Sequence, residues 1–454
     1  MERVIAVFDI GKTNKKLLLF NEKLDVVFQH EEKFPTTVDE DGFECDDIEL
    51  IERWMKAVID EMASDDKFIL MGINFSTYGA SLAYVDADNR RLTPIYNYLK
   101  PIDGKYAQAL YAQYGGEAEF CRKTASPALG AMLNAGVQLA WMKGEHPDVL
   151  NNARYILHFP QYLSFFLTRK ATAEYTSIGC HTYMWDFDKM GYHPWLADNG
   201  FSLPGPQPNT KIYYANIASR NIPVGIGIHD SSSSLVPYIH GCHDKFLLIS
   251  TGTWCINMNP FNHQPLTADE LKHDCLCYMS VNQKPVKSSR LFMGHIHDVN
   301  VKRLVDHFGA EPNAYKKVKV DEGEIRSMLS KGASAKIFFA NGISGEYVDN
   351  DADLSQFSSF DVAYRRLMYD LTLECASSID LVNTSDVKKL FVSGGFARNE
   401  IFVRLLADFF PDKQVFTSEV DNSSALGAAL VILEQAMPNA HPHIDLGLTE
   451  WKGF

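Results

Sequence analysis

The sequence predicts an α/β protein made of two related halves, and three stretches carry that reading. Val7-Phe8-Asp9-Ile10-Gly11-Lys12-Thr13-Asn14-Lys15 and Leu248-Ile249-Ser250-Thr251-Gly252-Thr253-Trp254 are apolar runs that break into a Gly-centred turn flanked by hydroxyls. Each then resumes as another strand. The third stretch, Ser393-Gly394-Gly395-Phe396-Ala397-Arg398-Asn399, follows an apolar run and opens a helix with Phe402, Leu405, Leu406 and Phe409 on one face. Glycine permits the turns, and backbone N–H groups with Ser or Thr hydroxyls can donate to phosphate oxygens. Two such clamps and a Gly-Gly loop suited to a flat ligand such as adenine point to a nucleotide held between the halves.

Along the chain, residues 3–8 and 16–20 read as the arms of a first hairpin. Asp46 is expected to cap a helix carrying Ile48, Ile51, Met55, Val58, Ile59 and Met62 on one face, with Glu49 as capping-box partner. Residues 68–74 and 82–85 read as further strands, so strands and helices alternate in a mixed sheet. Residues 245–249 and 255–258 form the second hairpin, and Leu367, Leu371, Cys375 and Ile379 recur as on a helix packed against a sheet. Residues 389–392 are a buried strand, and Asn399 is a natural cap for the helix that follows. The turn at 241–244 sets the expected boundary, giving domains 1–243 and 244–454.

With 454 residues and 46% hydrophobic content, each half can build its own core. No apolar run approaches the length needed to span a bilayer, and Met1-Glu2-Arg3 leads straight into the first strand with no secretory signal. A cytoplasmic location and no membrane association are expected. The net charge of −14 argues against a nucleic-acid partner. The eight cysteines are scattered, and Cys275 and Cys277 lack a second pair at zinc-finger spacing, which favours reduced, packed thiols.

The order of these segments resembles the FGGY family of carbohydrate kinases, within the actin-like ATPase superfamily, over nearly the whole chain. Asp9-Ile10-Gly11-Lys12-Thr13 is similar to the family's first phosphate segment, Ser250-Thr251-Gly252-Thr253-Trp254 to the second, and Gly394-Gly395 with Arg398-Asn399 to the adenosine segment. Gly225-Ile226-Gly227-Ile228-His229-Asp230 is similar to the stretch holding the catalytic aspartate, and residues 338–346 to a further Gly-Glu signature. The resemblance implies two duplicated actin-like (ribonuclease H-like) domains, each a mixed five-stranded sheet with flanking helices, around a central cleft. It implies ATP and Mg²⁺ as cofactors and a small-molecule sugar as substrate, and it allows a homodimer.

Phosphoryl transfer needs in-line geometry, a metal ion, phosphate donors and a base for the hydroxyl. Asp230 is the candidate base: it precedes the helix pattern opened by Ser231 to Ser234, where the helix dipole favours a carboxylate. By itself an Asp before a serine run also reads as a cap, and the family match decides for the base. Asp9 is the candidate metal-side carboxylate, holding Mg²⁺ through water. Lys12, Thr13, Asn14 and Lys15 with Gly11 form one phosphate clamp, and Thr251, Gly252 and Thr253 form the other. Gly394, Gly395 and Asn399 flank the nucleoside. Read alone, the first turn is equally a hairpin turn and Gly-Gly a helix-entry turn.

For the sugar, residues 72–86 correspond to a substrate-contacting loop in the rhamnulose and fuculose kinases, which the chain also resembles at Glu174-Tyr175-Thr176 and His229-Asp230. Tyr78, Gly79, His229 and Asp230 are the substrate-binding candidates. Those relatives carry a carboxylate soon after the loop glycine, where this chain has Ala80 and Ser81. His295 and His297 would share a face on a strand and diverge on a helix, with no third metal ligand, and they could edge the sugar pocket. The leading expectation is an ATP-dependent kinase of a 6-deoxyketose such as L-rhamnulose or L-fuculose. A xylulose-type ketopentose kinase comes next, then a partner-controlled ATPase or a sugar sensor of the same fold.

Overall fold

In the computed structural model, which describes residues 1–332 and 336–454, the first hairpin forms as the strands Glu2–Ile10 and Lys15–Phe20. Val4 to Phe8 are fully buried, as expected of a strand covered on both faces. Glu2–Ile10 pairs antiparallel with Lys15–Phe20 and parallel with Phe68–Thr77. The sheet runs Ile212–Ile217, Arg220–Gly225, Phe68–Thr77, Glu2–Ile10, Lys15–Phe20, Val26–Glu32, with Ile228–His229 as a seventh strand. That short strand exists because Arg220–Gly225 meets Phe68–Thr77 only at Val224 and Ile73, leaving Ser76 and Thr77 free to pair with Ile228 and His229.

The second hairpin repeats the arrangement. Phe246–Thr251 is antiparallel to Cys255–Asn259 and parallel to Lys389–Gly394. The second sheet, also of seven strands, runs Cys275–Met279, Pro285–Leu291, Cys255–Asn259, Phe246–Thr251, Lys389–Gly394, Gln414–Thr417, Thr449–Trp451. Five strands per sheet were expected. The extra ones include Ile228–His229 and Thr449–Trp451, both too short to show a period-2 pattern.

Asp47, rather than Asp46, caps the helix Ile48–Ser64 by accepting from the Leu50 N–H. Asp46 instead ends the strand Glu44–Asp46, and its carboxylate is drawn inside by Lys15. Ser359 caps the long helix Phe360–Asp380, which buries Leu367, Leu371, Cys375 and Ile379 as the periodicity predicts. All eight cysteines are free, and all but Cys242 are buried. Among the described residues, no helix is long and apolar enough to cross a membrane.

One helix from the second half of the sequence lies on the first sheet. Ser423–Ala436 packs through Ala425, Ala428, Ala429 and Ile432 against Ile5, Val7 and Leu18. Asn74 in the middle of Phe68–Thr77 donates to the Ala428 carbonyl at 2.7 Å. At the crossing with the helix Asp230–Ser234, a Cβ on Gly427 would stand 2.0 Å from the Ser233 carbonyl oxygen. Small residues therefore bring the two helix N-termini together at the end of the first hairpin.

Candidate active site

Asp230 opens the five-residue helix Asp230–Ser234 directly after the strand Ile228–His229. Its Oδ1 accepts from the Ser231 N–H at 2.6 Å and lies 3.2 Å from His229 Nε2. Burial pushes the carboxyl up to about 6, against the pull of the Ser231 donors. His229 is itself buried, which pushes its imidazole down to about 3, so the ring is neutral at physiological pH. Its Nε2 also lies 3.1 Å from Cys180 Sγ, and its Nδ1 lies 3.3 Å from Ser232 Oγ. Among the described residues, every hydrogen bond or ion pair of Asp230 falls on Oδ1 and leaves Oδ2 for a ligand.

Asp9 ends the first strand and accepts from Ser424 Oγ at 3.1 Å, a contact that joins the hairpin to the helix Ser423–Ala436. Burial first, and the charge of Asp230 second, push Asp9 up to about 6, while Ser424 and Lys16 pull the other way. Two raised carboxylates, one of which feels the charge of the other, form a hard-oxygen environment that a Mg²⁺ ion would relieve. The residues present fit that ion.

The first turn places its lysines on opposite faces. Lys16 sits directly across the hairpin from Asp9, and Lys15 across from Ile10. Successive strand residues point to opposite sides, so Lys16 shares the face of Asp9 and reaches Asn422 Oδ1 at 3.4 Å. Lys15 goes the other way: its side chain is buried, with Nζ 2.7 Å from Asp46 Oδ1. Lys12 Nζ lies 3.2 Å from Asp46 Oδ2, and the Tyr78 hydroxyl donates to the same oxygen at 2.7 Å. Burial would raise Asp46, but the Lys15 bond and charge outweigh it and hold the carboxyl below its usual range. Thr13 is exposed, and Asn14 Oδ1 is buried without a hydrogen-bond partner among the described residues.

The Gly11 N–H donates to the Asn14 carbonyl and the Gly252 N–H to the Trp254 carbonyl, so both close their own turns. Thr251 fastens the second turn to the Gly-Gly loop, its hydroxyl donating to the Ser393 carbonyl and accepting from the Phe396 N–H. Gly394 has φ +86, and a Cβ there would lie 1.8 Å from the Thr251 carbonyl oxygen, so only glycine fits. A cavity of about 770 Å³ opens between Thr253 and this loop, walled by His297, Tyr315, Tyr364, Phe396 and Asn399. Asn399 caps the helix Glu400–Phe409 through Oδ1 and donates from Nδ2 to the Tyr364 hydroxyl at 3.0 Å.

Of the sugar-side candidates, Gly79, His229 and Asp230 come together: a Cβ on Gly79 would stand 2.8 Å from Cys180 Sγ and 3.2 Å from His229 Cδ2. Tyr78 is buried beside them, its hydroxyl turned to Asp46. His295 and His297 lie on the helix Met293–Phe308 and diverge. His297 lines the 770 Å³ cavity and contacts the Tyr364 hydroxyl at 3.2 Å, on the Gly-Gly side rather than at the sugar loop. No group of three metal-ligating side chains occurs among the described residues.

Lys16 and Ser424 escaped the sequence reading. The alternation outward from Asp9 could have marked Lys16. No local pattern marks Ser424, which reaches Asp9 from 415 residues away. The aromatic wall of Tyr315, Tyr364 and Phe396 is likewise assembled from three separate segments.

Two mixed sheets, each opened by a hairpin with a Gly-centred turn, make up the two-domain actin-like fold. A carbohydrate kinase from Novosphingobium aromaticivorans superposes with a TM-score of 0.81 at 23% identity, covering 100% of this chain and 94% of that one. A ligand-bound xylulose kinase from Lactobacillus acidophilus gives 0.76 at 17% identity, over the same shares of the two chains. At these identities the likeness is one of fold. The model for the FGGY family of carbohydrate kinases, N-terminal domain, matches residues 4–200, and that for carbohydrate kinase FGGY, C-terminal domain, matches residues 243–441. The chain belongs to the FGGY family of carbohydrate kinases, enzymes that use ATP. A rhamnulokinase from Oceanobacillus iheyensis is 22% identical over 440 residues, covering 90% of this chain and 88% of that protein. A second, from Yersinia pestis, is 25% identical over 248 residues, covering 52% and 49%.

Proposed function

We propose that this kinase phosphorylates a small ketose, with a 6-deoxyketose such as L-rhamnulose or L-fuculose as acceptor, and that Asp230 is its base. The observation that carries the proposal is the unshared Oδ2 of a carboxylate whose Oδ1 is held by the Ser231 N–H and hydroxyl. In this reading Gly79 and His229 form the floor of the sugar site. Oδ2 accepts the proton of the acceptor hydroxyl as its oxygen bonds to the γ phosphorus of ATP and the bond to the β-phosphate oxygen breaks.

Asp9 would hold Mg²⁺ through water, an ion that supplies charge neutralisation on the phosphates when bound. Lys16, Thr13 and Asn14 serve the phosphates from the first half, and Thr253 serves them from the second. Gly394, Gly395 and Asn399 lie along the nucleoside, with Tyr364 fixing the Asn399 amide. The division 1–243 and 244–454 then puts the sugar floor and the base in one domain and most of the nucleotide site in the other, apart from the helix Ser423–Ala436 that rests on the first sheet, and closure of the remainder over the first domain would exclude water.

The rhamnulokinases among the relatives support a 6-deoxyketose; Ala80 and Ser81 keep a ketopentose in the test. The test is ATP consumption across ketoses and their parent aldoses, with a no-sugar control and Asp230→Asn alongside. Turnover with L-rhamnulose or L-fuculose that falls by about 10² to 10⁴ in the variant supports the proposal. Preference for xylulose, or hydrolysis indifferent to every sugar, would overturn the acceptor assignment.

A further inference from the structure

The segment 173–181 contributes no group to the proposed chemistry, yet it touches His229 at two points. Glu174 is a fully buried carboxylate at the end of the strand Ala173–Glu174, and it caps the four-residue helix Tyr175–Ile178. Its Oε1 accepts from Thr176 Oγ1 at 2.5 Å and from the Ser177 N–H at 2.6 Å. Its Oε2 accepts from the Thr176 N–H at 2.7 Å and from Asn209 Nδ2 at 2.8 Å. Burial raises this carboxyl, but all four partners are donors, which suits the ionised form.

The consequence lies in the hydroxyl of Thr176. It has one proton, and Glu174 takes it, so Oγ1 faces outward only as an acceptor. The group it accepts from is the backbone N–H of His229, at 3.0 Å. Four residues further along, Cys180 Sγ lies 3.1 Å from Nε2 of the same histidine. Cys180 is fully buried, and burial raises its thiol well above the usual range, so it is no nucleophile. One short segment thus contacts His229 at its backbone and at its ring, and the ring packs 3.2 Å from Oδ1 of Asp230, the next residue in the chain.

We propose that Glu174 and Thr176 are positioning residues for the phosphoryl transfer, aligning Asp230 by polarising the Thr176 hydroxyl toward the His229 backbone. The proposal rests on Asp230 being the base. With the Thr176 hydroxyl gone, His229 loses the partner that fixes where its strand ends, and the carboxylate one residue later loses its alignment. Misplacing a reacting group by about 1 Å can cost on the order of 10²-fold in rate.

Thr176→Val, Thr176→Ser and Glu174→Gln test it in the full-length enzyme, in both wild-type and Asp230→Asn backgrounds, with kcat and both KM values measured. Thr176→Val is expected to lower kcat by roughly 10- to 100-fold while the KM for ATP stays within about twofold. Thr176→Ser, which keeps the hydroxyl, should return kcat to within about threefold of wild type. In the Asp230→Asn background, Thr176→Val should change the residual rate by less than about twofold, because the two act through one group. Glu174→Gln keeps the size but turns acceptor contacts into donor clashes, and it carries the test if Thr176→Val does not fold. A folded Thr176→Val with wild-type kcat, or an equal loss in both backgrounds, would overturn the proposal alone. Full turnover by Asp230→Asn would remove the base and the proposal with it.

Discussion

His229 Nε2 stands 3.2 Å from Oδ1 of Asp230 and 3.1 Å from Cys180 Sγ, and the ring between them is neutral. A ring whose pKa burial has pushed down to about 3 is neutral at physiological pH, so its approach to Asp230 is not an ion pair. His229 therefore packs against the carboxylate and does not titrate in the working range. In the proposed mechanism, proton acceptance at the sugar side is the task of Asp230.

The pH dependence follows from the carboxylates. Asp9 and Asp230 both titrate at about 6, and a base must be ionised to accept a proton. Activity is then present above pH 6 and lost as pH falls through it. Bound Mg²⁺ would favour the ionised form of Asp9, so at saturating metal a single ionisation remains. We expect kcat/KM to drop about tenfold per pH unit below 6 at high Mg²⁺ and more steeply at limiting Mg²⁺. A profile flat from pH 8 to pH 5 would remove Asp230 from the role.

Stability should respond in the opposite direction. An ordinary Asp titrates at 3.8 and folded Asp230 at about 6, so ionisation works against the folded state. The stability linked to this group is complete below pH 4 and lost as pH rises through 6. Two pKa units correspond to about 3 kcal/mol; solvent screening of a side chain 35% exposed reduces that to roughly 1–2. Asp230→Asn is thus expected to be more stable than wild type at pH 8 by that amount, with the gain shrinking by pH 4.5. Chemical denaturation at the two pH values measures it, and a variant less stable at pH 8 would contradict the assignment.

The sheets and the turns were legible in the sequence because their signals are local. The apolar run up to Phe8, the Gly-centred turns and the strand into Gly394 each announce themselves within a dozen residues, and Asn399 caps its helix as its position suggested. What escaped is what depends on distance or on a one-residue choice. Asp46 and Asp47 are equivalent as caps by sequence, and buried Lys15 decides between them. The helix Ser423–Ala436 belongs to the second half of the chain but rests on the first sheet, a placement fixed by Gly427 against Ser233 and by Asn74 on Ala428. The cavity wall from Tyr315 to Asn399 exists only after the second half has folded.

That helix contact has its own test. A Cβ at Gly427 would stand 2.0 Å from the Ser233 carbonyl oxygen, so Gly427→Ala must push the helices Ser423–Ala436 and Asp230–Ser234 apart. Overpacking of this kind costs about 1–3 kcal/mol. The same movement draws Ser424 from Asp9 and shifts Asp230, so the folded fraction should show a raised Mg²⁺ requirement and reduced kcat. Retention of both wild-type stability and wild-type metal dependence would mean that the crossing does not hold the site.

The two lysines of the first hairpin should separate cleanly. Lys15 is buried against Asp46, so Lys15→Met strips the buried ion pair from a carboxylate that is itself 6% exposed and leaves it only Lys12 and the Tyr78 hydroxyl, both on Oδ2. Breaking a buried pair from one side costs about 3–5 kcal/mol, so this variant should unfold at much lower denaturant. Lys16 lies across the strand pair from Asp9 with its side chain 26% exposed, and its ion pair to Glu31 stretches to 4.0 Å. Lys16→Met should therefore cost less than about 1 kcal/mol of stability. Its loss should instead appear in catalysis, as a raised KM for ATP or a reduced kcat, because the charge beside Asp9 is gone. Denaturation midpoints and steady-state kinetics on the pair decide the matter. If Lys16→Met were kinetically silent while folded Lys15→Met lost ATP affinity, the face assigned to the phosphates would be the wrong one.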